Sequence, residues 1–194
     1  MNDKKFDPSK LQKLNDPQRL MDIPPDYIWE KLNIENPGVF VDIGAGTGFF
    51  SVAFLQKSKL SRIYACDASE VMVNWVKAHV TPEYPNIIPI KTEEHDVPLD
   101  DGIADLVFMI NLHHELDNPS LTLKESNRIL KPGGKIFIVD WIKKDSPEGP
   151  PAKRRCLPEQ VKEQLADAGF VQVEIYNELP KHFLVVAKKD ALCT

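Results

Sequence analysis

One carboxylate and three glycines alternate along a short stretch of the chain, at Asp42, Gly44, Gly46 and Gly48. The stretch begins with an apolar run rich in β-branched residues, Val39–Ile43, which predicts a strand buried on both faces. The apolar run after the glycines predicts a helix. A strand, a glycine turn and a helix start would leave backbone N–H groups free to face a crevice. Because glycine adopts positive φ without strain and lets a ligand touch the backbone, this pattern indicates a binding turn.

Asp42 places a charge inside an otherwise apolar strand. A buried carboxylate costs free energy without a partner, so we expect Asp42 to meet a hydrogen-bond donor or a cation at the end of the strand. The spacing Asp-x-Gly-x-Gly-x-Gly also differs from Gly-x-Gly-x-x-Gly, with which dinucleotide-binding folds place a helix N-terminus at a pyrophosphate. The stretch therefore argues against a dinucleotide ligand.

A second carboxylate, Asp67, ends the next predicted strand, Arg62–Asp67. It lies roughly 20 residues beyond the glycines, where doubly wound folds place a carboxylate that accepts hydrogen bonds from ribose hydroxyls. The alternative is a charge near the N-terminus of the following helix, which Ser69 is expected to cap. Met72 in that helix is suited either to an adenine ring or to the core.

Two adjacent histidines, His113 and His114, follow the fourth predicted strand, and Asp140 lies near the end of the fifth. Ligands of open α/β sheets bind outside the carboxyl ends of the strands. The two histidines lack the His-x-x-x-His spacing of a helical metal pair, so we expect one to face the crevice and the other to pack or cap a helix. The candidate general bases are His113, His114, Asp140 and Glu115.

The rest of the chain alternates predicted strands and helices. The predicted elements are helices beginning near Asn15 and at Pro24-Pro25, a helix at Phe49–Leu55, an edge strand around Pro89, a strand at Ala104–Ile110, a helix at Pro119–Leu130, a turn at Lys131–Lys135, a strand at Ile136–Trp141, a helix at Pro158–Ala168, and an antiparallel hairpin of Val171–Tyr176 and Phe183–Lys188. Three prolines and a glycine predict an irregular loop over residues 142–157.

The glycine motif, the strand ending at Asp67, the fourth-strand segment and the Lys-Pro-Gly-Gly turn occur in one order along the chain. In these residues, from about Val39 to Lys188, the chain resembles the class I S-adenosylmethionine (SAM)-dependent methyltransferases. The subgroup it resembles includes the ubiquinone/menaquinone-biosynthesis methyltransferases. The resemblance implies a Rossmann-like α/β fold, with a seven-stranded mixed sheet of order 3-2-1-4-5-7-6 and helices on both faces.

The resemblance also implies SAM as cofactor and S-adenosylhomocysteine as product. The loop after the third strand would supply an acid to the adenine amino group; Glu93 and Glu94 both remain candidates, and a plain acidic surface loop is the alternative. The cofactor-binding residues that the resemblance implies are Asp42, Gly44, Ala45, Gly46, Gly48, Phe49, Asp67, Ala68, Met72, Glu93, Glu94, Asn111 and Leu112. It implies no metal.

The implied reaction is methyl transfer to a small-molecule acceptor by in-line attack on the sulfonium methyl, which requires alignment and exclusion of water. The N-terminal segment either lies over the cofactor, with Tyr27 and Trp29 as aromatic walls, or only caps the sheet edge. Residues 142–157 would pass over the acceptor, and Arg154 and Arg155 would hold an anion or simply face solvent. The alternative functions are a non-catalytic SAM- or S-adenosylhomocysteine-binding sensor or partner subunit, and a nicotinamide oxidoreductase.

The bulk composition describes a globular chain of 194 residues with a formal net charge of −5. An acidic balance argues against a nucleic-acid partner, and no apolar run is long enough for membrane insertion. The three cysteines, Cys66, Cys156 and Cys193, form no Cys-x-x-Cys pair, and no secretory signal precedes them, so we expect a cytoplasmic protein. We expect one domain over residues 1–194, with a helical cap at 1–37 and the Rossmann-like core at 38–189. No motif specifies the acceptor or an oligomeric state.

Overall fold

The computed structural model describes residues 11–191. Its strands are Val39–Ile43 (β1), Arg62–Asp67 (β2), Ile87–Lys91 (β3), Ala104–Ile110 (β4), Leu130–Trp141 (β5), Phe170–Tyr176 (β6) and His182–Lys189 (β7). Its α-helices are Leu11–Leu14 (α1), Gln18–Asp22 (α2), Pro25–Leu32 (α3), Phe49–Leu55 (α4), Glu70–His79 (α5), Pro119–Ile129 (α6) and Pro158–Asp167 (α7). Short 3-10 turns lie at His113–Glu115 and Ala152–Arg154. Cys193 lies outside the described residues.

The strands form one sheet of order β3-β2-β1-β4-β5-β7-β6, which confirms the predicted order. The pairs from β3 to β5 are parallel, whereas β7 is antiparallel to both β5 and β6. Pro89 lies on β3 at the sheet edge, where its missing N–H leaves no ladder bond unmade. Because β1 lies between β2 and β4, the winding of the chain reverses beside β1 and opens a crevice at the carboxyl ends of the strands.

Helices cover both faces of the sheet, and the alternation of side chains along each strand divides the core into two clusters. On one face, Phe40 and Phe108 pack with α3, α4 and α5, and the Phe108 and Phe137 rings stack with centroids 5.0 Å apart. On the other face, Val41 and Met109 pack with α6 and α7. All five of these side chains are fully buried. The central strands are thus fixed on both sides, which makes their carboxyl ends a rigid platform.

The Lys-Pro-Gly-Gly segment differs from its prediction as a turn that ends before a strand at Ile136. β5 already begins at Leu130, and the segment is an irregularity within the strand: Ala104 pairs with Leu130, whereas Leu106 pairs with Lys135. Gly133 has a φ of +78°, and a Cβ on Gly134 would lie 2.9 Å from the Lys131 carbonyl oxygen. The glycines therefore absorb extra residues into β5 rather than separating it from α6.

No helix among residues 11–191 is long and apolar enough to cross a membrane.

Candidate functional site

A cavity lies at the carboxyl ends of β1, β2 and β4, where the topology opens the crevice. Its wall includes all but one of the predicted cofactor-binding residues: Asp42, Gly44, Ala45, Gly46, Phe49, Asp67, Ala68, Met72, Glu93, Glu94, Asn111 and Leu112. The exception is Gly48, which has a φ of +76° and caps α4. A Cβ on Gly48 would lie 3.3 Å from Val76 on α5, so this glycine serves the close packing of two helices rather than the cavity.

The first amides of the glycine turn are already hydrogen-bonded within the protein. The amides of Gly44 and Ala45 both donate to the Cys66 carbonyl oxygen, at 2.8 and 3.0 Å, and the amide of Gly46 donates to Asp67. Tertiary contacts with the end of β2 thus satisfy these donors. The glycines act through shape instead, because a Cβ on Gly44, whose φ is +73°, would lie 2.7 Å from the Leu112 side chain.

Asp67 joins the glycine turn to the start of α5. Its Oδ2 accepts from the Gly46 amide at 2.8 Å, and its Oδ1 accepts from the Ser69 amide at 2.8 Å. Ser69 occupies the N-cap position of α5, but its own side chain makes no capping bond. A carboxylate has about four lone-pair positions, so the backbone bonds and a hydroxyl ligand are compatible. Asp67 therefore combines the helix-start role with a place in the cavity wall.

Asp42 is 3% exposed and meets a hydrogen-bond donor, one of the two kinds of partner that the sequence predicts. Ser51 donates its hydroxyl to Asp42 Oδ2 at 2.6 Å. Burial raises the pKa of Asp42 to about 7, and the charge of Asp67 adds to this, whereas the Ser51 bond and the charge of Arg19 oppose it. The cavity thus holds a carboxylate whose ionised form is poorly solvated.

Arg19 is a cavity residue that no sequence motif indicates. It lies on α2 in a weakly periodic polar segment, with its guanidinium 4.7 Å from the centre of the Phe50 ring. One of its nitrogens donates to the Leu14 carbonyl oxygen at 2.5 Å. Burial lowers the pKa of Arg19 to about 10, although Asp42 and Asp16 favour its charge. Only the tertiary fold shows that α1 and α2 lie over the cavity.

The predicted aromatic walls, Tyr27 and Trp29, lie elsewhere on α3. Tyr27 donates its hydroxyl to Glu178 Oε2 at 2.8 Å, and the Trp29 ring meets the edge of Phe40. The N-terminal segment therefore combines the two roles that the sequence left open, covering the cavity and covering the sheet. Its first two helices lie over the cavity, and α3 covers the sheet.

The acidic loop after β3 separates the roles of Glu93 and Glu94. Glu94 Oε1 accepts from the backbone amides of Asp117 and Asn118, at 2.7 and 3.0 Å, and so holds the segment before α6. The Glu93 side chain is 80% exposed, with its nearest cation, Lys91, at 3.5 Å. Both side chains line the cavity, but only the Glu94 carboxylate accepts hydrogen bonds from backbone amides.

Asn111 follows β4 in a left-handed conformation, with a φ of +57°. Its amide donates to the Val139 carbonyl oxygen at 2.8 Å, which fixes the residue at the cavity wall. Its side-chain Oδ1 is buried and has no hydrogen-bond donor among the described residues. A buried acceptor without a donor is costly, so this atom fits a ligand that carries an N–H group.

Neither histidine lines the cavity, contrary to the expectation for one of them. His113 is 1% exposed and lies with Nε2 2.7 Å from Gln164 on α7; burial lowers its pKa. His114 lies with Nδ1 2.7 Å from Asp140 Oδ1 and Nε2 3.6 Å from Glu115 Oε1. Burial disfavours its charge, but these two carboxylates outweigh burial and raise the pKa of His114 to about 9. Of the candidate bases, Glu115 lines the cavity.

Arg155 does not hold an anion. It is 3% exposed, and its guanidinium donates to four backbone carbonyl oxygens and to the Ser146 hydroxyl. It therefore fixes the loop of residues 142–157 from within. Arg154 is exposed at the end of a 3-10 turn. Among residues 11–191, no group of three or more histidine, cysteine or acidic side chains is arranged to hold a metal ion.

A family model described as a methyltransferase domain matches residues 41–138. The solved structure of a SAM-dependent methyltransferase from Aquifex aeolicus is 34% identical, with a TM-score of 0.87, over 95% of this chain and 99% of that one. An uncharacterized methyltransferase, At2g41040, from Arabidopsis thaliana is 26% identical over 72% of this chain and 44% of its own length. The ubiquinone/menaquinone biosynthesis C-methyltransferase UbiE of Hydrogenovibrio crunogenus is 29% identical over 62% of this chain and 50% of its own length.

The chain spans about half the length of these two curated relatives. The family model nevertheless covers the glycine turn, Asp67 and the end of β4, which together build the cavity. The chain therefore belongs to the class I SAM-dependent methyltransferases, the enzymes whose cofactor is S-adenosylmethionine, and it resembles their ubiquinone/menaquinone-biosynthesis group.

Proposed function

We propose that this chain transfers the methyl group of SAM to a small-molecule acceptor and releases S-adenosylhomocysteine. The observation that carries the proposal is the cavity beside β1, where the glycine turn, Asp67 and Asn111 meet. Membership of the methyltransferase family supports the same reaction.

The end of the cavity near β1 and β4 suits an amino acid moiety. The Asn111 Oδ1 atom lacks a donor, and the buried Asp42 carboxylate lies on the neighbouring strand, so both fit an ammonium group. Arg19 is the only cation in the cavity wall among the described residues, and it fits a carboxylate. We therefore assign the methionine part of SAM to these three residues.

The end of the cavity near β2 and β3 suits a nucleoside. Asp67 lies where it can accept from ribose hydroxyls, and Met72 is an apolar surface for a base. Glu93 is the better partner for the adenine amino group, because Glu94 already accepts two backbone amides. The two ends together match an adenosyl group joined to an amino acid.

When bound, SAM supplies a methyl group on a sulfonium, which an O, N, S or C nucleophile of the acceptor attacks in line. The protein aligns the reactants and excludes water. The apolar wall residues Leu14, Phe49, Leu112 and Leu116 supply that dry surface. Leu112 is fixed against Gly44, so its position is set by the glycine turn itself.

Calorimetric titration with SAM, S-adenosylhomocysteine and NAD tests the proposal. We expect both adenosyl ligands to bind with micromolar dissociation constants, and Asp67→Ala to abolish this affinity. Asp167→Ala, which removes an exposed carboxylate at the end of α7, is the matched control and should bind like the wild type. Binding of NAD alone, or of none of the three, would contradict the proposal.

A second measurement separates the enzyme from a non-catalytic binding protein. The protein is incubated with SAM that carries a labelled methyl group. A panel of small compounds is added, each with a hydroxyl, an amine, a thiol or an acidic C–H group. Label transfer, or slow hydrolysis of SAM by the wild type and not by Asp67→Ala, supports the enzyme. Tight binding without either would favour a sensor or partner subunit.

A further inference from the structure

Three ionisable side chains form a line from the sheet to the cavity. Asp140, at the end of β5, is 0% exposed, and its Oδ1 lies 2.7 Å from Nδ1 of His114. Nε2 of His114 lies 3.6 Å from Oε1 of Glu115, within ion-pair distance. The His114 side chain is 4% exposed, and the Glu115 side chain is 28% exposed and lines the cavity. A buried charged pair thus supports a carboxylate at the surface of the cavity.

The hydrogen bonds of Asp140 fix where the protons lie. Besides Nδ1 of His114, its oxygens accept from the backbone amides of His114 and Trp141, at 2.9 and 2.7 Å. Each Asp140 oxygen thus accepts a backbone N–H, as a carboxylate does, and beside an ionised Asp140 it is Nδ1 that carries the hydrogen. Nε2 then faces the Glu115 carboxylate. Two flanking carboxylates favour a hydrogen on each ring nitrogen, which makes the ring an imidazolium.

The line of three residues therefore carries a net charge of −1. Among residues 11–191, the salt bridges of Asp140 and of Glu115 are to His114 alone. A net charge beside a water-excluding cavity costs free energy unless a counter-charge meets it. The exposed end of this charge is the Glu115 carboxylate, so a cationic group in the cavity would meet it there.

The other carboxylates of the cavity already have partners or an assigned ligand. Asp42 and Asp67 belong to the cofactor assignment above, Glu94 is bound to the backbone before α6, and Glu93 lies on the β3 side. Glu115 differs because it is anchored through His114 to β5, on the opposite side of β4 from the nucleoside residues. It is thus the carboxylate of the cavity wall that the cofactor assignment leaves for the acceptor.

We infer that Glu115 is the specificity-determining residue for the acceptor, and that it selects acceptors carrying a cationic nitrogen. His114 and Asp140 are positioning residues that hold the Glu115 carboxylate towards the cavity. The inference rests on the proposed function, because it takes the rest of the cavity to be filled by the cofactor. An anionic acceptor would face Glu115 without a free cation, since Arg19 is assigned to the cofactor's carboxylate and its guanidinium lies over the rings of Phe49 and Phe50.

The test uses three probes of one shape on the protein saturated with S-adenosylhomocysteine, which lacks the sulfonium charge. These are benzylamine, benzyl alcohol and benzoate, with binding followed by ligand-observed NMR. We expect benzylamine to bind roughly tenfold more tightly than benzyl alcohol, as for one charge-assisted contact, and benzoate not to bind. Glu115→Gln should abolish the preference, whereas Glu159→Gln, an exposed carboxylate on α7, should keep it.

The outcomes separate this inference from the proposed function. If S-adenosylhomocysteine binds neither the wild type nor Glu115→Gln, the proposed function fails. If it binds both but benzylamine has no advantage, or keeps its advantage in Glu115→Gln, the inference alone fails. A loss of SAM affinity in Glu115→Gln without an amine preference would assign Glu115 to the sulfonium and also overturn the inference.

The wild type gives an independent readout should Glu115→Gln not fold. Benzylamine at saturation is expected to shift the ¹⁵N resonance of His114 Nε2, since it competes for the same carboxylate. Benzyl alcohol is expected to leave that resonance in place. An unshifted resonance in the benzylamine complex would contradict the inference.

Discussion

Asparagine in place of Asp42 is expected to stabilise the ligand-free protein at alkaline pH and to weaken its affinity for SAM. Asp42 is buried, and its pKa rises from 3.8 to about 7 because burial disfavours the charge. The folded state therefore holds a proton that the unfolded state releases between these two pH values. Stability from this group is present at low pH and is lost as pH rises through the window.

The magnitude follows from the same two pKa values. A tenfold change in an ionisation equilibrium corresponds to about 1.4 kcal/mol, so the ionised Asp42 costs the folded protein about 4 kcal/mol above pH 7. Between pH 5 and pH 8 the difference between wild type and Asp42→Asn should grow by about 3 kcal/mol. For a chain of this size that is a relative rise of about 6–12 °C in Tm. Ser51 can still donate to the asparagine oxygen, so its hydrogen bond survives.

Thermal melts of both proteins at pH 5 and pH 8, without ligand, measure this directly. Calorimetry at pH 8 supplies the second readout, in which Asp42→Asn should bind SAM at least tenfold more weakly because an ammonium partner is lost. Ser51→Ala is the control, since it removes the hydrogen bond but keeps the carboxylate. A difference in Tm that is the same at both pH values would refute the reasoning, because it would show that Asp42 does not titrate in this window.

Three further predictions concern the cavity wall. Asp67→Asn leaves one of two backbone amides without an acceptor, so calorimetry should show a roughly 10–100-fold weaker affinity for S-adenosylhomocysteine; an unchanged affinity would contradict the ribose assignment. Glu94→Ala should lower the free energy of unfolding in urea by about 1–3 kcal/mol, whereas Glu93→Ala should leave it nearly unchanged; equal losses would show that the two have the same structural role. Gly44→Ala should lower Tm, because its Cβ would meet the Leu112 side chain and because Gly44 has a positive φ. Adding Leu112→Ala to the same chain should restore part of the lost Tm. If it restores none, the strain lies in the backbone alone.

Local pattern and topology were enough to predict the fold and most of the cavity. The strand order, the glycine turn, Asp67 and Asn111 all depend on features that sequence carries directly, namely apolar periodicity and the rule that ligands meet the carboxyl ends of strands. Asp42 also meets a donor, Ser51, as expected of a buried carboxylate. In each case the residue's place along its strand decided its role.

The misassigned residues depend on contacts between distant segments. Gly48 has the spacing of a ligand-binding glycine, yet Val76 of α5 fills the space beside it. Arg155 has the composition of an anion-binding loop, yet it points inward. Arg19 has no motif at all, and only the packing of α2 brings it to the cavity, whereas Glu115, one of the candidate general bases, reaches the cavity through the 3-10 turn at His113–Glu115. Side-chain direction in loops and short helices follows from tertiary packing, which periodicity does not encode.

The bonding of Arg155 has a consequence for how this protein can diversify. Four of its five acceptors are backbone carbonyl oxygens, which every amino acid type provides. The shape of residues 142–150 is therefore insensitive to side chains such as Lys143 and Asp145. New side chains can be sampled there, by natural drift or in a directed library, while the loop keeps its course. One buried arginine thus makes most of the segment evolvable, and a mutation of Arg155 would disturb the whole loop at once, whereas Gly149 is fixed locally because a Cβ there would meet the Trp141 ring.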